Sequence, residues 1–515
     1  MTAPSDAISP KAAGARRVRS VVILGGGTAG WMTATALASQ FGSSLDITLL
    51  ESEEIGTVGV GEATIPTIHW FNQLIGLDEA AFLRETRASF KLGIEFVDWV
   101  RPGHRYFHPF GDYGVRFPGV AFHHRWMKAR ASGLDLPLSA FSLAEELAKQ
   151  GRFAMPVDDP RSILSTLGYA YHFDASLYAR HLRGIAEAAG VTRIEGRLQD
   201  VERDAETGLV SALTTQCGER LEGELFIDCS GFRALLIDGV MGGGFEDWSH
   251  WLPCDRAVAV PCERTEHTTP FTRSTARPAG WQWRIPLQHR VGNGHVYCSA
   301  DISDDAARET LLANLDGAPL RDPFVLKFEA GRRKLAWHRN CVALGLASGF
   351  LEPLESTSIH LVQSGIHRLM ALLPDTGFGP AERDEYNRLT DAQMAQVRDF
   401  VILHYHANAR RDGDLWRRTR EMAVPASLER KLALFRNRGR LFRYEDELFA
   451  ESSWIAVLLG QGVMPRGWDP LADGLDDDKL ATSLARIHEM FARAALAMPR
   501  HEDWLARNAP ARTGS

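Results

Sequence analysis

The sequence has no apolar run of about 18 residues, the length a membrane-spanning helix needs, so no such helix is expected. It also lacks a Cys-x-x-Cys pair and any histidine cluster at zinc spacing. Its six cysteines (217, 229, 254, 262, 298 and 341) are scattered. They read as reduced, mostly structural thiols of a cytoplasmic protein, and no metal is expected. There is no basic block: 58 Lys and Arg face 65 Asp and Glu, a net charge of −7, which argues against a nucleic-acid surface. No internal repeat or low-complexity tract is visible, so a solenoid is excluded. The opening "MTAPSDAISPKAAGARRVRS" has no apolar middle of the kind a signal peptide carries, so residues 1–20 are read as a disordered tail. The closing "NAPARTGS" is read the same way.

What the sequence does have begins at "VRSVVILGGGTAGWMTATALASQFG". Four apolar residues, Val21 to Leu24, run into a Gly-rich turn, and a helical pattern follows. "LDITLLES" then reads as a second parallel strand ending in Glu51, completing a βαβ unit. Residues 67–100 space their apolar groups by three and four and are expected to be helical. Residues 100–165, rich in Gly, Pro, His and aromatics, are expected to be mostly loop. "SLYARHLRGIAEAAG" is a helix stopping at Gly190, and short strands with a Glu-Thr-Gly hairpin turn follow it. From about 359 onward helices dominate. The expected fold is α/β: a Rossmann-type βαβ region with a β-sheet insert over 21–358, and a mostly helical C-terminal part over 359–515 that covers the substrate.

Gly25-Gly26-Gly27-Thr28-Ala29-Gly30 fits G-x-G-x-x-G between strand and helix. The first glycine permits the tight turn, the second lets backbone approach a pyrophosphate, and the third lets helix pack on strand. The helix start offers N–H groups and a positive dipole end to phosphate. Glu51, 21 positions past Gly30, is placed to accept from a ribose hydroxyl. Gly25, Gly27, Thr28, Ala29, Gly30 and Glu51 are therefore the expected dinucleotide contacts, and the motif by itself does not separate FAD from NAD.

Beyond this loop the chain carries "GVGEATIP" (59–66), "SFKLGIEF" (89–96), "FHPFG" (107–111), "YHFDASLYARHLR" (171–183), "FIDCSGFRALLI" (226–237), "WQWRIP" (281–286) and "EPLEST" (352–357). With "GGGTAGW" (25–31), these motifs resemble those of the flavin-dependent halogenases, the group typified by tryptophan halogenases, from about Val21 to beyond residue 465. Trp281-x-Trp283-x-Ile285-Pro286 matches the family's W-x-W-x-I-P signature. The resemblance implies a reduced FAD supplied by a separate flavin reductase, O2, and a bound chloride or bromide oxidised to hypohalous acid. That oxidant passes through a tunnel to a lysine beside an electron-rich aromatic substrate, which is halogenated by electrophilic substitution. Family members are often dimers, so a homodimer is an expectation.

The resemblance assigns Lys91 as the essential lysine, which hydrogen-bonds hypohalous acid or becomes a haloamine. Read alone, Lys91 among Phe90, Leu92, Ile94 and Phe96 equally suits a helix lysine reaching to solvent. Glu355 matches the glutamate that stabilises the cationic ring intermediate and helps remove its proton. Ser356 orients the substrate or relays contacts, and Glu352 is expected to bond local backbone N–H groups. Backbone N–H groups of Thr357 and Ser358 are implied as the halide site. Ser358 stands where family members often carry glycine, so a left-handed backbone there would cost about 1 kcal/mol or more. His108 and Phe110 match aromatics that sandwich the substrate ring. Gly345 lies where flavin hydroxylases carry a Gly-Asp pair, and Leu346 replaces the aspartate.

In tryptophan-specific members a C-terminal lid holds the amino-acid part of the substrate. Here "RLFRYEDELFAESSWIAVLLGQG" (440–462) is shorter and has no paired tyrosines. It leaves Tyr444, Glu447, Phe449 and Trp454 as substrate-facing groups, with Trp454 the one assigned to substrate binding. That favours an indole-type substrate over free tryptophan. The competing readings are an FAD-dependent aromatic monooxygenase, which would need the Gly-Asp pair, and a non-catalytic FAD-binding protein.

Overall fold

The computed structural model describes residues 16–55, 61–115, 117 and 119–510. Val21 to Leu24 do form a strand, β1 (Ser20–Leu24), and its four apolar side chains are buried. It pairs in parallel with β2 (Asp46–Glu51), and between them runs helix α1 (Thr28–Phe41). Residues Gly30 to Ala38 of α1 are all buried because other helices, Ala175–Ala188 and Ser358–Ala371, pack against it besides the sheet. The parallel sheet continues through Leu225–Asp228 and Cys341–Ala343 on one side and Thr192–Glu195 on the other.

Where a helix was expected over 67–100, two short helices (Ile68–Leu74 and Glu79–Glu85) give way to strands. Together with β3 (Gly61–Ala63), these include β4 (Ser89–Lys91), β5 (Gly93–Val97) and, further on, β6 (Arg105–Pro109). The segment Ser89 to Val97 is buried almost throughout, so both faces are apolar and the run carries no strand-like alternation to distinguish it from a helix. Strands β3 and β4 flank β7 (Ala170–Asp174) in a small antiparallel sheet. Strands β5 and β6 join a seven-stranded sheet that also contains Thr272–Arg277, Gly280–Pro286 and Arg290–Tyr297. All residues of Gly280–Pro286 are buried, as a central strand covered on both faces requires.

Residues 100–165 hold more order than expected, including helices Phe122–Ala131 and Leu143–Lys149. The turn at Glu206-Thr207-Gly208 joins two antiparallel strands as read, with Gly208 at φ +68°. From Ser358 the chain is helical, and the longest helix is Pro380–His406. Residues of this helical part share one apolar core with the sheets. Of the expected tail 1–20, residues 1–15 lie outside the described residues. Val18 is fully buried and the backbone of Arg17 forms an isolated antiparallel bridge with Asp375, so the chain is already docked there. Among the described residues no helix is long and apolar enough to cross a membrane. Five of the cysteines are buried, and Cys217 is exposed.

Candidate active site

A cavity of about 1150 Å³ runs from the glycine loop to the Glu-Pro-Leu-Glu-Ser-Thr turn. It is lined by Gly25, Gly27, Thr28, Ala29, Glu51 and Gly345 at one end, and by Trp281, Trp283, Ser356 and Ser358 at the other. The loop admits no side chain at Gly25, Gly26 or Gly30. A Cβ at Gly26 would stand 1.6 Å from Glu51 Oε2, and one at Gly30 would stand 1.9 Å from the Gly25 carbonyl. At Gly27, where α1 begins, a Cβ would meet nothing within 4 Å, so the helix N-terminus opens onto free space. Backbone donors at a dipole's positive end, facing a large cavity, are the fittings a dinucleotide diphosphate needs.

Glu51 stands at the end of β2 as read. Arg193 Nε donates to its Oε1 (2.5 Å) and Trp31 Nε1 to its Oε2 (3.2 Å). Each carboxylate oxygen has a second lone pair, so Glu51 keeps capacity for a hydroxyl. Gly345, at φ +64°, would place a Cβ 2.8 Å from the Ala29 side chain, which ties the two cofactor-facing loops together sterically.

Lys91 ends β4, so it is a strand residue and not the helical one the spacing suggested. Its ammonium does not reach solvent: the residue is fully buried. Nζ donates to the Thr64 carbonyl (3.0 Å) and to Ser356 Oγ (2.7 Å), and it lies 5.0 Å from the Phe110 ring centre. Burial pulls the amine down to about 7, partly opposed by the negative charge of Glu355.

Glu355, also fully buried, is gripped by two histidines. His108, on β6, lies with Nδ1 2.8 Å from Oε2. His404, in the last turn of Pro380–His406, places Nε2 2.7 Å from Oε1, although off the line of a straight hydrogen bond. His404 Nδ1 is 2.9 Å from the Phe400 carbonyl, which only accepts, so Nδ1 carries a hydrogen. Burial pushes Glu355 up, but His108 and His404 together outweigh it and hold the carboxyl down to about 2.

Glu352 does not bond local backbone N–H groups as expected. Its Oε2 accepts from Trp281 Nε1 (2.9 Å) and Tyr405 OH (2.5 Å), and burial pushes its carboxyl up to about 7 despite both bonds. The left-handed residue of the turn is Ser356 (φ +59°), not Ser358, which begins the helix Ser358–Ala371. The strain foreseen for the serine after Thr357 therefore falls two positions earlier, on the residue that binds Lys91. Thr357 Oγ1 is buried without a partner among the described residues, beside the first N–H groups of that helix.

The C-terminal segment is packed rather than open. Glu447 is buried in an ion pair with Lys431 (2.6 Å) and accepts from Trp454 Nε1 (3.0 Å). Lys431 Nζ also lies 4.3 Å from the Trp454 ring centre. Phe449 stacks on Phe400 at 3.8 Å, and Phe400 in turn touches both His108 and Trp454. Tyr444 is more than half exposed. Trp454 does not line the large cavity.

Lys91, Ser356, Glu355, His108 and Phe110 thus meet at one place, near Thr357 and Ser358. His404 and Thr64 belong to the same cluster and were not read from sequence. Thr64 acts through its carbonyl, which its side chain does not advertise, and His404 sits 49 positions beyond Glu355 with no motif around it.

Comparison with known proteins places this geometry. The family model for tryptophan halogenase matches residues 20–477. The 7-chloro-L-tryptophan 6-halogenase KtzR of Kutzneria sp. (strain 744) is 33% identical over 95% of this chain and 99% of its own. Among solved structures, BrvH, a flavin-dependent halogenase from Brevundimonas sp. BAL3, is 50% identical, with a TM-score of 0.93 over 96% of this chain and 100% of its own. Xcc4156, a flavin-dependent halogenase from Xanthomonas campestris, is 48% identical, with a TM-score of 0.94 over 97% of this chain and 100% of its own. The chain belongs to the tryptophan halogenase family.

Proposed function

We propose that this protein is an FADH2-dependent halogenase that oxidises chloride or bromide and halogenates an electron-rich, indole-type aromatic. The observation that carries the reading is a fully buried lysine held between Thr64 and Ser356, beside a carboxylate that burial alone would have neutralised. Bound FAD, once reduced, supplies with O2 the oxidising power that turns halide into hypohalous acid. Gly25, Gly27, Thr28, Ala29, Gly30, Glu51 and Gly345 hold the dinucleotide. The first N–H groups of the helix at Thr357 and Ser358 hold the halide, and Thr357 Oγ1 offers a further buried donor.

Lys91, near half-protonated at neutral pH, receives hypohalous acid either as a hydrogen-bond donor or as an amine that is itself halogenated. Ser356 fixes its position. Glu355 stays a carboxylate, stabilises the cationic ring after attack, and takes its proton. His108 and Phe110 flank the substrate ring, with Trp454 behind Phe400 in the same aromatic wall. Glu447, the buried carboxylate of the C-terminal segment, already has Lys431 as its cation and is not free for a substrate ammonium. That supports indole, or a substituted indole, over free tryptophan. A separate flavin reductase supplies reduced FAD, the protein works in the cytoplasm, and two copies associate. In this reading residues 21–358 carry cofactor and halide chemistry, and 359–515 cover the substrate.

The experiment supplies FAD, a flavin reductase, NADH, O2 and chloride or bromide, offers indole and tryptophan, and reads products by mass spectrometry. A halogen isotope pattern on indole that disappears in Lys91→Ala supports the reading. Hydroxylated product, or halogenation unchanged without Lys91, overturns it.

A further inference from the structure

Glu62 is a carboxyl group that the reading above leaves unused. It is the middle residue of β3, within the motif "GEATIP", and it lines the large cavity. Its neighbour Gly61 packs on Ile285 and Gly292, which fixes the strand against the sheet that carries Trp281 and Trp283. Two positions on, the Thr64 carbonyl accepts from Lys91. Glu62 is therefore roughly 7 Å of extended chain from the atom that holds the lysine.

The carboxyl of Glu62 has no hydrogen bond or ion pair to any described residue, and burial alone pushes it up to about 7. The charged and titratable groups on the elements packed against β3 have their main partners elsewhere, with Arg290 Nη1 and His295 Nε2 buried and unpartnered among the described residues. Asp174 on β7 pairs with Arg290, and Arg284 with Asp316. His172 bonds Ser89 and Thr272, His295 bonds the Ala307 carbonyl, and Lys91 bonds Thr64 and Ser356. A partly buried carboxyl with no ion-pair partner among the described residues and a ligand cavity in front of it is poised to hold a proton.

Hypohalous acid formation consumes one: FADH2 + O2 + Cl− + H+ gives FAD + HOCl + H2O. The flavin and the chloride each give two electrons, one oxygen atom leaves as water and the other remains in HOCl. Backbone donors at the halide site have no proton to give, Glu355 is already ionised, and Lys91 meets the hypohalous acid after it has formed. We propose that Glu62 is the proton donor of this cavity: it takes up a proton when reduced FAD binds and gives it up when the halide is oxidised. The inference rests on the flavin-and-halide reading of the cavity.

The test compares the full chain with Glu62→Gln, which keeps shape and polarity and removes the proton. Anaerobically reduced FAD is titrated by calorimetry at pH 7.5 in buffers of different ionisation enthalpy. Uptake by the flavin itself is common to both proteins, so the difference between them is the readout. The wild type is expected to take up about half to three-quarters of a proton more than the variant, and its Kd to weaken about tenfold more between pH 7 and 8.5. Glu62→Asp is expected to restore the uptake. Bromination of indole by Glu62→Gln is expected to fall about 100-fold, with hydrogen peroxide released instead. Equal proton uptake in wild type and Glu62→Gln, or an unchanged bromination rate, overturns the proposal. Failure of FAD to bind either protein overturns the cavity reading itself, and the proposal with it.

Discussion

His404 Nε2 lies 2.7 Å from Glu355 Oε1, on a ring whose other nitrogen is committed to the Phe400 carbonyl. The histidine is thus oriented before it meets the carboxylate, and it acts as a positioning residue. Replacing it with Leu is expected to lower kcat about 10- to 100-fold with little change in KM, the scale of one close polar contact to a buried charge. Glu355, held down to about 2, would lose one of its two supports and rise. The acid limb of the pH–rate profile should therefore move to higher pH, and His404→Gln should recover part of both effects. A profile that stays in place would show the contact to be packing only.

Lys91 carries a stability penalty along with its function. The unfolded chain keeps this ammonium protonated up to its ordinary value near 10.5, whereas burial brings the folded group down to about 7. The folded state is penalised fully below pH 7, and the penalty is relieved as pH rises from 7 toward 10.5. Lys91→Met is therefore expected to lose halogenation by about 1000-fold and to unfold at higher temperature at pH 6, by about 1–4 kcal/mol. The stability gap between variant and wild type should narrow by pH 9.5, as thermal unfolding at the two pH values would reveal.

Glu352 behaves in the opposite sense. Its folded carboxyl, pushed up to about 7, binds a proton that the unfolded chain releases above about 4.5. The stabilisation is present at low pH and is lost as pH rises through 7. Glu352→Gln keeps an oxygen acceptor for Trp281 and Tyr405 but never ionises. Denaturant unfolding should find it equal to wild type at pH 4.5 and more stable by about 1–3 kcal/mol at pH 8.

Lys431 and Glu447 make a separable prediction about the C-terminal segment. Lys431→Ala strands a buried carboxylate and is expected to cost about 3–5 kcal/mol. Lys431→Met with Glu447→Gln should recover most of that loss, because no unpaired charge remains. If instead the pair holds the substrate, the double variant would change KM for indole and leave unfolding unaltered.

The βαβ unit, the glycine loop and the turn from Glu352 to Ser358 were legible because each rests on a local rule: an apolar strand, a sterically forced glycine, a motif of fixed spacing. Lys91 was found by its motif and placed on the wrong element, since a strand buried on both faces does not alternate. Glu352 was misread for another reason. Its partners, Trp281 and Tyr405, come from a different sheet and a distant helix, and no rule within the chain segment points to them. His404 failed for the same cause, and so did Arg193, which reaches Glu51 from the neighbouring strand of the parallel sheet, 142 positions on in sequence.

The helix Pro380–His406 ends with His404 on Glu355 and Tyr405 on Glu352. Two neighbouring side chains, about 100° apart around the axis, thus meet two carboxylates three positions apart in the facing turn. The helix consequently measures phase as well as length. Deleting a single residue upstream would rotate its last turn by about 100° and offer the phenol where the imidazole belongs, with every active-site side chain still in the sequence. Selection on this site therefore extends to the register of a helix that begins more than twenty residues away from the chemistry.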